Sequence, residues 1–181
     1  MKHINLNPMN PPLNWQDKLP DELPQGWNER AAALCQAQSL TAALRALGGS
    51  FAVKVLYMGE LDGQGNSFGK SHTETAAPQF VRDVLLHLNG VPVVQARSAC
   101  SPQSQAWRGV LDCGTQPLGE RLFDGTLPLK RSAFEFCLME NAGGQDDFRR
   151  PVAARRSYFD WDGEVLELTE YFLPGLARIM R

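Results

Sequence analysis

Glu170 lies in "EVLELTEYFLP", in the company of leucines, where a carboxylate is expensive unless a cation pairs with it or a proton neutralises it. A carboxyl that holds its proton near neutral pH is also what an enzyme needs for a general acid. Arg82 and Arg97 raise the complementary question. They bracket "RDVLLHLNGVPVVQAR", a mostly apolar stretch with a turn at its centre. The planar guanidinium fork suits carboxylates, with charge-assisted bonds about twice as strong as neutral ones. A carboxyl in such company could handle a proton.

Two β-hairpins must position them. Asn89-Gly90 is the strongest short hairpin signal, because a two-residue type I′ turn needs positive φ at both positions. With that loop, Leu88 faces Val91, Leu86 faces Val93, Val84 faces Gln95 and Arg82 faces Arg97. Alternation then puts both arginines on one face, although like charges directly opposite each other are destabilising. The second hairpin turns at Asp162-Gly163, so Phe159 faces Leu166, Ser157 faces Leu168 and Arg155 faces Glu170. Plainer readings stand beside these. Arg155 and Glu170 could be a salt bridge on the solvent side of an edge, and Arg82 and Arg97 could snorkel to water. A slip of one residue in the first hairpin would send its arginines to opposite faces.

The remaining elements are read around the hairpins. Residues 1–27, rich in Pro and Asn, predict an extended arm, and residues 28–181 a single domain. "NERAAALCQAQSLTAALRALGG" predicts one helix or two, with Ser39 as an N-cap and Gly48-Gly49 as a stop. "SFAVKVLYMGEL" predicts a strand, Gly63 to Pro78 a loop long enough for a lid, and "PLGERLF" a helix opened by Pro117. "LKRSAFEFCLM" predicts one continuous strand, with Ser132, Phe134, Phe136 and Leu138 on one side and Arg131, Ala133 and Glu135 on the other. Strands arriving as hairpins, with helices set apart from them, predict an α+β fold with an antiparallel sheet.

Composition excludes several functions. A net charge of −2 argues against nucleic acid as a partner. No apolar run reaches the length of a membrane span, and "MKHINLNPMNPPLNWQDKLP" lacks a secretion signal's apolar core, so a cytoplasmic protein is expected. Cys35, Cys100, Cys113 and Cys137 are scattered and predict free thiols. His3, His72 and His87 show no ligand spacing, so no metal is expected. "GQGNSFGKS" imitates a phosphate loop, but Gln64 stands where the first glycine belongs.

Three blocks, "VRDVLLHLNGVPVVQARSACSP", "GTQPLGERLF" and "RRSYFDWDGEVLELTEYFLP", resemble the successive motifs of bacterial chorismate lyase, in order and at similar spacing. The resemblance implies removal of the enolpyruvyl group of chorismate to give 4-hydroxybenzoate and pyruvate, the first committed step towards ubiquinone. It implies a six-stranded antiparallel sheet with helices, two flaps over the ligand, no cofactor, and a monomer. The family's binding arginine falls on Arg82, its second arginine on Arg97, its flap leucine on Leu118, its carboxylate on Glu170 and an early-helix contact on Leu40. Glu120 and Arg121 depart from the commoner residues of the second block.

Under that resemblance the two arginines would clasp a dianion, Arg82 at the ring carboxylate and Arg97 at the enolpyruvyl carboxylate. Glu170 would bond the 4-hydroxyl and supply a proton, and Leu118 would close the pocket. Similar architecture occurs in UTRA-type effector domains, so a small-molecule binding module without catalysis is the alternative reading.

Overall fold

The computed structural model describes residues 14–62, 77–139 and 152–181. The first thirteen residues, most of the Gly63–Pro78 loop and the phosphate-loop imitation lie outside the described residues. Two short helices open the domain, α1 (Glu29–Cys35) and α2 (Leu40–Ala46). Each starts where a side chain accepts a backbone N–H: Asn28 from Ala31, and Ser39 from Ala42 at 3.3 Å. Gly48 and Gly49, at φ of 81° and 87°, stop α2 as expected.

Strand β1 (Phe51–Leu61) is followed by the hairpin β2 (Gln79–Leu88) and β3 (Val91–Cys100). Helices α3 (Gln105–Leu111) and α4 (Leu118–Phe123) come next, then β4 (Lys130–Arg131) and β5 (Glu135–Met139). The second hairpin is β6 (Val152–Trp161) and β7 (Glu164–Phe172), and α5 (Pro174–Ile179) ends the chain. The sheet is antiparallel in the order β1-β2-β3-β7-β6-β4, with β5 also on β6. The α+β fold with an antiparallel sheet is as expected, but the sheet has seven strands where six were implied, because β4 and β5 share one edge of β6. Among the described residues no helix is long and apolar enough to cross a membrane.

The second hairpin keeps its expected register from Trp161↔Glu164 to Ala153↔Phe172, turning at Asp162 and Gly163 with φ of 51° and 87°. The first turns where expected, at Asn89 and Gly90, but its ladder is broken. His87 pairs with Pro92 and Leu86 with Val94, leaving Val93 as an extra residue. Proline has no N–H to give the ladder, and a bulge beside it accommodates that loss. Beyond the bulge every partner moves by one: Arg82 opposes Ser98, and Arg97 opposes Asp83. The expected Arg82–Arg97 pairing is therefore wrong, and the two arginines occupy opposite faces of the sheet.

The expected continuous strand through residues 130–139 is also corrected. It breaks over residues 132–134, which are unpaired as strand, so alternation restarts and Arg131 lands on the same face as Phe136. That face packs on the helices and carries the main core, including Leu44, Val84, Trp107, Phe159 and Phe172. The other face holds a smaller cluster around Cys137, Val152 and Tyr171, against which Trp15 packs. Gln16 bonds Phe136 through both backbone groups, at 2.8 and 2.7 Å, and so extends the free edge of β5.

Candidate functional site

Two neighbouring rows of side chains form the floor of a cavity on the helix-covered face. One row runs Val84, Ala96, Glu170, Arg155, Phe136; the next runs Arg82, Ser98, Leu168, Ser157. Ala96 is small enough to leave space between the longer residues on either side. The start of α2 and the length of α4 form the roof, bringing Leu40, Thr41, Leu118 and Phe123 over the floor. A Cβ at Gly119 would stand 3.0 Å from the Thr41 hydroxyl, so a residue without one lets the two roof helices approach closely. The space is about 460 Å³ with the open region at its mouth included.

Its charges decide what it can hold. Among the described residues, Arg82, Arg131, Arg155 and Glu170 are the charged ones that line the cavity, an excess of two positive charges. Arg155 donates from Nε to Glu170 at 2.5 Å and from Nη1 to the carbonyls of Cys35 and Ala37. This is the cross-strand pair expected from the sequence, but both members are buried, so the solvent-side reading fails. Arg82 is only 2% exposed and donates to the carbonyls of Gly114 and Gln116, at 2.7 and 3.3 Å. Its Nε is buried without a hydrogen-bond partner among the described residues. Burial lowers its pKa.

Arg131 is the residue that sequence reasoning missed. It donates from Nε to the Ser157 hydroxyl at 3.1 Å and from Nη1 to the Gln38 carbonyl at 2.6 Å. Its guanidinium stacks over Phe134 at 4.1 Å, Phe159 at 5.0 Å and Phe123 at 5.1 Å. Burial pulls its pKa down to about 10, with Glu170 pulling it up and Arg155 pushing it further down, so it stays charged at neutral pH. No local signal marks the strand break that turns it inward.

Arg97 does not line the cavity. On the other face it donates from Nε and Nη2 to both oxygens of Asp83, each at 2.7 Å, with Asp83 fully buried. Burial opposes the Arg97 charge, but the bonds and charge of Asp83 outweigh it and the pKa shifts upward. The puzzle of two arginines face to face dissolves: opposite charges stand across the ladder. Leu40, Leu118, Arg82 and Glu170 come together as expected, and Arg97 is removed from that set as a correction.

A hollow of about 840 Å³ out to its mouth opens at Pro78, Cys100, Tyr158 and Glu167. Glu167 is its only charged lining residue among those described, so it offers an acid no cation. The four cysteines are free and buried, and among the described residues no cluster of His, Cys, Asp and Glu could hold a metal ion.

Comparison with known proteins agrees with this geometry. A protein-family profile described as chorismate lyase matches residues 15–180. A probable chorismate pyruvate-lyase of Ralstonia nicotianae is 33% identical over 179 residues, covering 90% of each chain. One of Shewanella amazonensis is 34% identical over 171 residues, covering 88% of this chain and 83% of its own. Among solved structures, PhnF from Mycobacterium smegmatis shares the fold at a TM-score of 0.50 and 16% identity, over 76% of this chain and 64% of its own. With the profile spanning the cavity's strands and roof helices, and both relatives similar over most of their length, the chain belongs to the chorismate lyase family, a family of lyases.

Proposed function

We propose that this protein eliminates pyruvate from chorismate and leaves 4-hydroxybenzoate. The observation that carries the reading is the cavity's excess of two positive charges beside a single carboxylate, which suits a dianionic ring acid bearing one hydroxyl. Chorismate carries a carboxylate on its ring, a second on the enolpyruvyl arm, and a hydroxyl at C4. Arg82, buried with neutral partners only, takes the ring carboxylate. Glu170, held in place by Arg155, accepts a hydrogen bond from the 4-hydroxyl. Leu40 and Leu118 close the apolar roof over the ring.

The reaction balances without water or an external oxidant. The ether bond at ring C3 breaks, the hydrogen at C4 leaves the ring, and the enolpyruvyl methylene carbon gains a hydrogen as the arm becomes pyruvate. Aromatisation drives the change, so the protein's work is to hold the arm in a reactive conformer and to favour charge moving onto the leaving oxygen. An apolar roof over a planar product also holds that product well, and product release is expected to limit turnover. The family resemblance supports the further reading of a cytoplasmic monomer supplying ubiquinone synthesis.

The test is to incubate the purified protein with chorismate and identify the products. Equimolar 4-hydroxybenzoate and pyruvate support the reading. Formation of 3-hydroxybenzoate would assign a different reaction, and tightly bound but intact chorismate would assign a binding module.

A further inference from the structure

We propose that Arg131 binds the second carboxylate of the substrate, the one on the departing three-carbon arm, while Arg82 binds the ring carboxylate. The inference rests on the reading of the cavity as a site for a dianionic ring acid, and deepens it by naming a specificity residue. Of the cavity's three guanidiniums, Arg155 already has a carboxylate, Glu170. Among the described residues, Arg82 and Arg131 bond to carbonyls and a hydroxyl and to no carboxylate. Arg97, the other candidate, is on the far face with Asp83.

Placement favours a divided grip. Arg82 is on β2 and Arg131 on β4, four strand spacings apart, which is about 19 Å at the backbone. Both side chains nevertheless line one cavity, so they reach into it from opposite flanks. A ring acid whose arm is attached meta to its carboxylate presents two anions that diverge, and such a ligand needs cations from separate strands. Arg131 is also oriented in advance. The aromatic rings of Phe134, Phe159 and Phe123 lie near its guanidinium, and two of its five donors are fixed by Ser157 and Gln38. The remaining donors can take a carboxylate in the guanidinium plane.

The experiment compares two stable probes by calorimetric titration: 3-(carboxymethoxy)benzoate, with two carboxylates, and 3-methoxybenzoate, with one. The wild type is expected to prefer the first by about tenfold or more. In Arg131→Gln that preference should fall below about threefold, with 3-methoxybenzoate bound as before. Arg131→Met provides a second variant, retaining an apolar stem against the phenylalanines, should the first not fold. Wild type indifferent to the second carboxylate overturns the proposal without any variant. So does a folded variant that keeps the preference, or one that loses both probes equally, because that is a structural role. Loss of chorismate turnover with the probe preference intact would remove the proposed reaction and leave this assignment standing.

Discussion

Replacing Arg82 by Met should separate binding from stability. The native side chain is a buried cation that donates to two carbonyls, at 2.7 and 3.3 Å. Removing it relieves a desolvation penalty of several kcal/mol. It also forfeits two hydrogen bonds from a charged donor, about 1.5–3 kcal/mol each. These contributions oppose one another, so the net change should be about 1 kcal/mol or less, a melting shift of about 2–4 °C for a chain this size. Binding has no such compensation. Losing the guanidinium that meets the ring carboxylate costs about 2–5 kcal/mol, or about 30- to 4,000-fold in Kd for 4-hydroxybenzoate. The assay is paired: calorimetric titration, and thermal melting with and without ligand. At a hundred times the wild-type Kd the ligand should stabilise wild type by about 2.7 kcal/mol, and the same concentration should stabilise the variant by about 0.9 kcal/mol at most. Arg155→Met is the contrasting control, because it strands buried Glu170 and should cost about 3–5 kcal/mol of stability. A variant Arg82→Met that melts far below wild type yet binds 4-hydroxybenzoate normally would refute the reasoning.

Glu170→Gln keeps the side chain's shape but exchanges a charged acceptor for a neutral one; kcat/KM should fall about 10- to 100-fold, and an unchanged value would remove Glu170 from the site. Asp83→Asn strips Arg97 of a buried carboxylate and should cost about 3 kcal/mol in urea denaturation while sparing 4-hydroxybenzoate affinity, because the pair is on the face away from the cavity. A Cβ at Gly175 would overlap the Pro92 carbonyl, so Gly175→Ala should destabilise by about 1–3 kcal/mol; an unaltered urea midpoint would contradict that packing. Burial pushes the thiols of Cys35 and Cys137 up to about 12 and that of Cys100 up to about 11. Their pKa values are raised by folding, so this contribution to stability is constant below about pH 8.5 and declines as pH rises towards 11–12. The urea midpoint should therefore be lower at pH 10 than at pH 7.5.

The two hairpins show why some of the site was legible in the sequence and some was not. Both turns were readable from a dipeptide, because the type I′ backbone admits few residues. For the second, nothing interrupts the ladder, and the Arg155–Glu170 pair followed from counting outward from Asp162-Gly163. For the first, the same counting crossed Pro92, and the bulge that proline brings reversed the face of Arg97. That signal was available: a proline inside a paired strand is a warning that register will shift. Arg131 is different in kind. Nothing in "KRSAFEF" announces a break, and its inward turn is set by Phe134, Phe159 and Ser157 packing around it, contacts made across the chain. Leu40 and Leu118 were reached through family resemblance, and the structure sets them together as the roof.

A crystal structure of the protein with bound 4-hydroxybenzoate tests the central claim most directly. The ligand is predicted under α2 and α4, its carboxylate within hydrogen-bonding distance of Arg82 and its hydroxyl at Glu170, with Arg97 still on Asp83. A ligand on the opposite face of the sheet, with its carboxylate on Arg97, would contradict the account.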